Sequence, residues 1–177
     1  ITVAAGKTET ISQSVDVANP KLWSVDSPNL YWVRTEIIQN GKVVDRTDSR
    51  FGIRYIATNP NSGFYLNGVH TKLNGVCEHS DLGSLGMETY QAAVDRRIRT
   101  LKKYGVNAIR TSHNPVSPEF IEACDRLGML VFEEAFDQWL YSKNSDDYHN
   151  YFNKAADGKT VVFDKPEMII PTMTLLI

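Results

Sequence analysis

The sequence of 177 residues has few cysteines, no excess of one charge and no long apolar run. Two cysteines cannot form a disulfide framework or, on their own, a zinc site. The 19 basic and 21 acidic residues leave a net charge of −2, which gives no electrostatic basis for binding nucleic acid. No stretch of about 18 apolar residues is present, so no segment is predicted to span a membrane. The hydrophobic fraction of 42% is ordinary for a folded globular protein.

The two cysteines are both predicted to be small buried hydrophobic residues. Cys124 lies in a pattern typical of a helix, and Cys77 lies in a pattern typical of a strand. Packing is therefore their expected role.

The first third of the chain has the pattern of β-strands. Residues 11–17 and 31–38 alternate apolar and polar side chains with a period of two. Asn40-Gly41 is a strong signal for a two-residue turn, after which residues 42–47 would return as the second strand of a hairpin. Short strands separated by turns indicate a β-sandwich, which needs roughly 100 residues. We therefore expect residues 1–56 to form a partial sandwich, with strands missing on its N-terminal side.

The rest of the chain, residues 57–177, is predicted to form a second, α/β domain. It opens with a small hairpin turning at Asn67-Gly68. Strand and helix patterns then alternate over residues 74–79, 88–104, 106–111, 118–127 and 129–135. The first helix places Lys102 on its solvent side. Short connections between such elements favour a parallel sheet, either an open doubly wound sheet or a (β/α)8 barrel. Residues 78–83 lack the G-x-G-x-x-G fingerprint of a nucleotide-binding open sheet.

Polar side chains follow each of the three predicted parallel strands. They lie in residues 78–81, 110–114 and 133–139. The carboxyl ends of parallel strands meet at one edge of a sheet or barrel, so these residues predict a polar pocket there. Two chemistries fit the residue types. His79, His113 and a carboxylate could bind zinc. Alternatively, carboxylates, amides and histidines could bind sugar hydroxyls beside an aromatic ring.

Several of these residues also have a purely structural interpretation. Arg110 and Glu134 could form an ion pair inside a barrel. Trp139 could belong to the core, and Glu78 could face solvent.

Particular motifs in the chain resemble glycoside hydrolase family 2, the family of β-galactosidases, β-glucuronidases and β-mannosidases. In the second half they are Asn-Gly-Val-Cys-Glu-His, the long segment ending Arg-Thr-Ser-His-Asn-Pro, Cys-Asp-Arg-Leu-Gly and Glu-Glu-Ala, at residues 74–79, 101–115, 124–128 and 133–135. In the first half, residues 22–24, 27–31 and 51–54 resemble the family's immunoglobulin-like domain and its junction with the barrel. The resemblance covers residues 15–140, about 70% of the chain.

The resemblance implies an α/β fold in two parts: a partial immunoglobulin-like β-sandwich, then the first three βα units of a (β/α)8 TIM barrel. It also implies retaining exo-hydrolysis of terminal non-reducing β-linked sugars. The Glu-Ala-Phe-Asp-x-Trp form of residues 134–139 favours β-galactosides. The expected ligand is a β-linked oligosaccharide or glycoside.

The resemblance also implies which residues bind the sugar. His79 and His113 match the family's histidines that contact substrate hydroxyls, and Arg110 matches the arginine beneath the nucleophile. Asn114 and Asp137 are expected rim contacts. Trp139 is a candidate stacking platform for the sugar ring.

The resemblance places the acid/base and nucleophile glutamates after the fourth and seventh barrel strands, and no Asn-Glu pair follows residue 139. We therefore expect no catalytic pair in this chain, with Glu134 and Asp137 as fallback candidates. The best-known galactosidases of the family carry a magnesium-ligand glutamate just past the third strand. Residues 136–139 do not match that pattern, so no metal ligand is predicted.

Two other functions remain open at this stage. One is a non-catalytic carbohydrate-binding or assembly module, and the other is a metal hydrolase that uses His79 and His113. The open sheet edges of a half-barrel also favour a homo-oligomer.

Overall fold

The computed structural model describes residues 2–134, which form three small sheets and two α-helices. Asp137 and Trp139, two of the predicted site residues, lie outside this part of the chain. The two described helices have 13 and 10 residues, and neither is long and apolar enough to cross a membrane.

The first sheet is a long antiparallel hairpin. Strand β1 (Tyr31–Gln39) pairs with β2 (Lys42–Phe51). The predicted Asn40-Gly41 turn is confirmed, with φ of 50° and 75° at its two residues. These left-handed angles suit a two-residue turn whose twist matches that of the strands.

The predicted strand over residues 11–17 is wrong. These residues are exposed and adopt no regular structure, and none of the described strands pairs with them. Alternating side chains form a strand only where a neighbour accepts the backbone hydrogen bonds, and no described neighbour does so here.

The second sheet is a short antiparallel meander in the order β3, β4, β5. Its strands are Ile56–Asn59, Gly63–Leu66 and Val69–His70. The predicted turn at Asn67-Gly68 is confirmed. Phe64 and Leu66 point into a buried cluster with Trp23 and Leu130, which attaches the meander to the α/β part that follows.

The third sheet is parallel, in the order β6, β7, β8, as the alternating pattern predicted. The elements run β6 (Gly75–Glu78), α1 (Gln91–Lys103), β7 (Ala108–Thr111), α2 (Pro118–Leu127) and β8 (Leu130–Phe132). Both helices pack on one face of the sheet. The core between them contains Val94, Ile98, Ile109, Phe120, Ala123, Cys124, Met129 and Val131. The prediction that Cys124 is buried is confirmed.

Local sequence signals fix the ends of α2. The Ser117 hydroxyl accepts a hydrogen bond from the Phe120 amide at 3.3 Å, and Pro118 occupies the first turn. Gly128 ends the helix with φ of 76°, a left-handed angle that favours glycine. By contrast, α1 begins three residues later than predicted, and its N-cap residue Tyr90 makes no capping hydrogen bond through its side chain.

Lys102 does not lie on the solvent side of α1 as predicted. Its ammonium group donates to the carbonyl oxygens of Val25 at 2.6 Å and Gly128 at 2.8 Å. The side chain thus reaches over the end of α2 to the segment before β1. The long, flexible Lys102 side chain can reach both carbonyls, and its ammonium group donates to them instead of to water.

Candidate functional site

The parallel register places Cys77 of β6, Arg110 of β7 and Phe132 of β8 side by side. Neighbouring residues on each strand, such as Val76 and Ile109, instead pack against the helices. Side chains alternate across a strand, so the first three share the face that the helices do not cover. That face lines a cavity of about 290 Å³.

Arg110 and Glu134 form the centre of the site. The Arg110 Nε and Nη2 atoms each lie 2.7 Å from Oε1 of Glu134. The Glu134 residue is only 8% exposed. Burial alone would raise the pKa of its carboxyl group, but hydrogen bonds from His113 and Arg110, together with their charge, lower that pKa below its usual value. Glu134 is therefore an ionised acceptor at neutral pH.

His113 completes a bonded trio with these two residues. The peptide bond that precedes it, between Ser112 and His113, is cis. The Nδ1 atom of His113 lies 3.0 Å from Oε2 of Glu134 and 3.3 Å from Nη2 of Arg110. Glu134 can only accept and Arg110 can only donate, so the shorter contact favours a proton on Nδ1 that is donated to Glu134. In a neutral ring this leaves Nε2 as an acceptor for another group.

The opposite side of the Arg110 guanidinium has two more acceptors. Its Nη1 atom lies 3.1 Å from the Ser112 hydroxyl and 3.5 Å from the Cys77 sulfur. We call Arg110, His113 and Glu134, with Cys77 and Ser112, the Arg110 cluster.

The prediction that Cys77 is buried is wrong. Its side chain is exposed on the sheet face that the helices leave open, beside Arg110. The hydrogen bond from the Arg110 guanidinium stabilises the thiolate and lowers the pKa of the thiol. The sequence pattern identified the strand but not which of its two faces the helices would cover.

The other described candidates lie around the Arg110 cluster. The imidazole rings of His79 and His113 meet edge to face, with centroids 5.8 Å apart. Asn114 follows His113 and is exposed. Glu78 does not face solvent: it points towards α1, where its carboxylate lies 3.4 Å from Arg97. Burial raises the pKa of Glu78.

Two contributors were missed by sequence reasoning. Ser112 accepts from Arg110, as described above, and the Thr111 hydroxyl accepts a hydrogen bond from the Glu134 backbone amide at 3.0 Å. Both are buried polar residues. Their position between two predicted site residues, Arg110 and His113, could have marked them.

The zinc hypothesis gains no support from the described part of the chain. Within residues 2–134, no group of three or more His, Cys, Asp or Glu side chains is arranged to hold a metal ion. The Nδ1 atom of His113 already faces Glu134, and the Arg110 cation lies beside both. A fixed positive charge at that position opposes a second cation.

Comparison with known proteins identifies the family. The sequence profile of Glycosyl hydrolases family 2 matches residues 1–54, and the profile of its TIM barrel domain matches residues 58–165. A beta-galactosidase of Bacteroides ovatus is 44% identical over 150 residues, which cover 85% of this chain and 18% of the relative. A putative beta-glucuronidase of Formosa agariphila is 43% identical, covering 77% of this chain and 13% of the relative.

Solved structures agree with the sequence relatives. A glycosyl hydrolase family 2 member from Bacteroides cellulosilyticus is similar to this chain with a TM-score of 0.72 and 47% identity, covering 78% of this chain and 18% of that protein. The chain thus spans less than a fifth of the length of these relatives. The predicted fold, a partial immunoglobulin-like sandwich followed by the start of a TIM barrel, is confirmed. The chain belongs to glycosyl hydrolases family 2.

Proposed function

We propose that the protein containing this chain is a retaining exo-glycosidase that acts on terminal non-reducing β-linked sugars, with β-galactosides as the preferred substrates. The chain contributes part of the sugar-binding site through the Arg110 cluster. The observation that carries this proposal is the bonded trio at the strand ends, in which His113 keeps its Nε2 atom for a further partner.

His113 is suited to hold a sugar hydroxyl. The hydrogen bond to Glu134 fixes the ring orientation and places the proton on Nδ1, as second partners of functional histidines do. A hydroxyl can then donate to Nε2. His79, whose ring meets that of His113 edge to face, is placed to contact a neighbouring hydroxyl.

Glu134 acts as an anchor in this proposal rather than as a catalytic acid or nucleophile. Its lowered pKa keeps it ionised, so it has no proton to give to a leaving group. Both of its oxygens already accept hydrogen bonds, and the residue is nearly buried. Retaining hydrolysis needs two carboxyl groups about 5–5.5 Å apart. We infer that this pair comes from residues outside this chain, and Asp137 is the fallback candidate.

The charge of the Arg110 cluster favours a neutral sugar over a uronic acid. The relatives include enzymes named for each kind of substrate, so similarity alone does not choose between them. The Arg110 charge is matched by that of Glu134 at 2.7 Å. This pair therefore offers no net positive charge to a substrate carboxylate.

The test is hydrolysis of 4-nitrophenyl β-galactoside, β-glucuronide and β-mannoside by the full-length protein, with ¹H NMR of the first product. We expect the β-galactoside to react fastest and to release the β anomer. His113→Ala should lower kcat/KM roughly tenfold to a hundredfold, the effect of losing a hydrogen bond worth about 1.5–3 kcal/mol. His70→Ala is the matched control, since His70 is exposed on the meander away from the cluster.

Each outcome separates one part of the proposal from the others. If the folded protein hydrolyses none of the three, the proposed activity is wrong, and a sugar-binding module becomes the better account. Preference for the glucuronide would refute the argument from charge. Equal activity of the His113→Ala and wild-type proteins would show that the Arg110 cluster is not part of the sugar-binding site. The isolated 177-residue chain should release no product.

A further inference from the structure

The backbone of Glu134 is fixed by a side chain rather than by the sheet. The ladder between β7 and β8 ends at the pair Arg110 and Phe132, two residues before Glu134. Beyond that point the Glu134 amide donates to the Thr111 hydroxyl at 3.0 Å. The hydroxyl therefore supplies the acceptor that a longer ladder would have provided.

Thr111 is itself held firmly. It is 1% exposed and pairs in register with Glu78 of β6. The next amide, that of Ser112, donates to the Glu78 carbonyl at 2.7 Å and continues the β6–β7 ladder by one bond. The Thr111 hydroxyl thus holds Glu134, which binds Arg110 and His113, at a fixed position relative to the central strand β7.

We propose that Thr111 is a positioning residue of the sugar site, whose hydroxyl sets the place of the Glu134 carboxylate and, through it, the orientation of Arg110 and His113. The inference rests on the proposed function, because it assumes that the Arg110 cluster binds the sugar. It assigns Thr111 no contact with the substrate.

The geometry explains why a hydroxyl is needed here. Valine matches the shape of threonine but cannot accept a hydrogen bond, so Thr111→Val would leave the Glu134 amide without its partner in a buried place. Glu134 would then move to find another acceptor. Serine keeps the acceptor and loses only a methyl group.

The experiment compares Thr111→Val and Thr111→Ser in the full-length protein, with Thr100→Val as the matched control. Thr100 also uses its hydroxyl in a hydrogen bond, at 2.7 Å to the Arg96 carbonyl, but it is exposed on α1. Crystal structures give the distance between Arg110 Nε and Glu134 Oε1, and glycoside hydrolysis gives kcat and KM separately.

In Thr111→Val, we expect the Arg110–Glu134 contact to lengthen beyond hydrogen-bonding distance. The value of kcat/KM should fall roughly tenfold to a hundredfold, the scale on which misplaced positioning groups act. Thr111→Ser should keep the contact and stay within about threefold of wild type, and Thr100→Val should match wild type. If Thr111→Val does not fold, Thr111→Ala compared with Thr111→Ser separates the hydroxyl from the methyl group.

Two results would overturn the proposal. One is a Thr111→Val protein with an unchanged Arg110–Glu134 contact and wild-type kcat/KM. The other is a Thr111→Ser protein as impaired as Thr111→Val, which would assign the effect to packing. If the wild-type protein hydrolyses no glycoside, the proposed function fails separately, and the crystal structures still decide whether Thr111 positions Glu134.

Discussion

Replacement of Trp23 should weaken the packing of the segment before β1 against the α/β part of the chain and lower the free energy of unfolding. The indole is 1% exposed and packs with Phe64, Leu66 and Leu130. Its Nε1–H group donates to the Asp125 carbonyl at 2.7 Å. That carbonyl lies in the last turn of α2, where the helix itself provides no partner, so the indole serves as a cap supplied from 102 residues earlier in the chain.

The magnitude follows from what each substitution removes. Trp23→Phe keeps much of the apolar contact but loses the hydrogen bond and leaves the Asp125 carbonyl unsatisfied, which should lower the free energy of unfolding by about 2 kcal/mol. It also weakens the contact with the Arg54 guanidinium, which lies 4.5 Å from the ring centroid. Trp23→Ala opens a cavity as well and should cost about 4 kcal/mol.

The assay is thermal unfolding of the full-length protein followed by calorimetry. At roughly 2–4 °C per kcal/mol for a unit the size of this chain, the midpoint of the transition that unfolds this region should fall by about 6 °C in Trp23→Phe and by about 12 °C in Trp23→Ala. Tyr104→Phe is the control, because Tyr104 is 80% exposed at the end of α1 and should change the midpoint by about 1 °C or less. If Trp23→Phe behaves like Tyr104→Phe, the capping bond contributes nothing, and the reasoning is refuted.

Two further predictions concern helix packing and helix ends. Arg126 binds Asp95 through two contacts of 2.7 Å and 3.1 Å, and its hydrogen bonds lower the pKa of Asp95 below the usual 3.8. The ion pair therefore stabilises the fold fully above pH 3.8, the usual pKa, and this stabilisation is lost as the pH falls through the lowered pKa. In urea unfolding at pH 7, Asp95→Asn should lower the free energy of unfolding by about 1 kcal/mol, because Arg126 is partly exposed. In strong acid the variant and the wild type should unfold alike. A gap that persists in acid would contradict this. Gly128→Ala should cost about 2–3 kcal/mol because its methyl group would collide with the Val25 carbonyl, whereas Gly105→Ala, with a similar φ of 82° and open space, should cost about 1 kcal/mol. Equal costs would refute the collision.

The elements with local signals were predicted almost to the residue. Pro118 and Gly128 mark both ends of α2, and Asn40-Gly41 defines the hairpin turn. These signals depend only on backbone angles and capping bonds within a few residues. The segment over residues 11–17 has the same alternation as β1 but pairs with no described strand, so its pattern alone could not decide its structure.

Features set by distant contacts could not be predicted in this way. The position of Lys102 depends on carbonyls 77 and 26 residues away along the chain. The exposure of Cys77 depends on which face of the sheet the helices cover, and a strand pattern is the same for both faces.

The site was predicted as a cluster of strand ends, with an Arg110–Glu134 ion pair as one interpretation, and the structure contains that pair. The hydrogen bonds of His113 and Ser112 within the cluster were not predicted. Parallel pairing places the residues that follow β6, β7 and β8 at one edge of the sheet, which brings His79, Arg110, His113 and Glu134 together. The role of Thr111 was not foreseen, because it depends on where the ladder between β7 and β8 ends.

The most direct test of the account is a crystal structure of the full-length protein with β-galactose bound. The account predicts a sugar hydroxyl oxygen within about 2.6–3.2 Å of His113 Nε2, while Nδ1 keeps its contact with Glu134. The contradicting result is a well-defined sugar in the barrel mouth that makes no contact with His113 or His79. The Arg110 cluster would then be a structural ion-pair network, and the sugar site would belong to other residues.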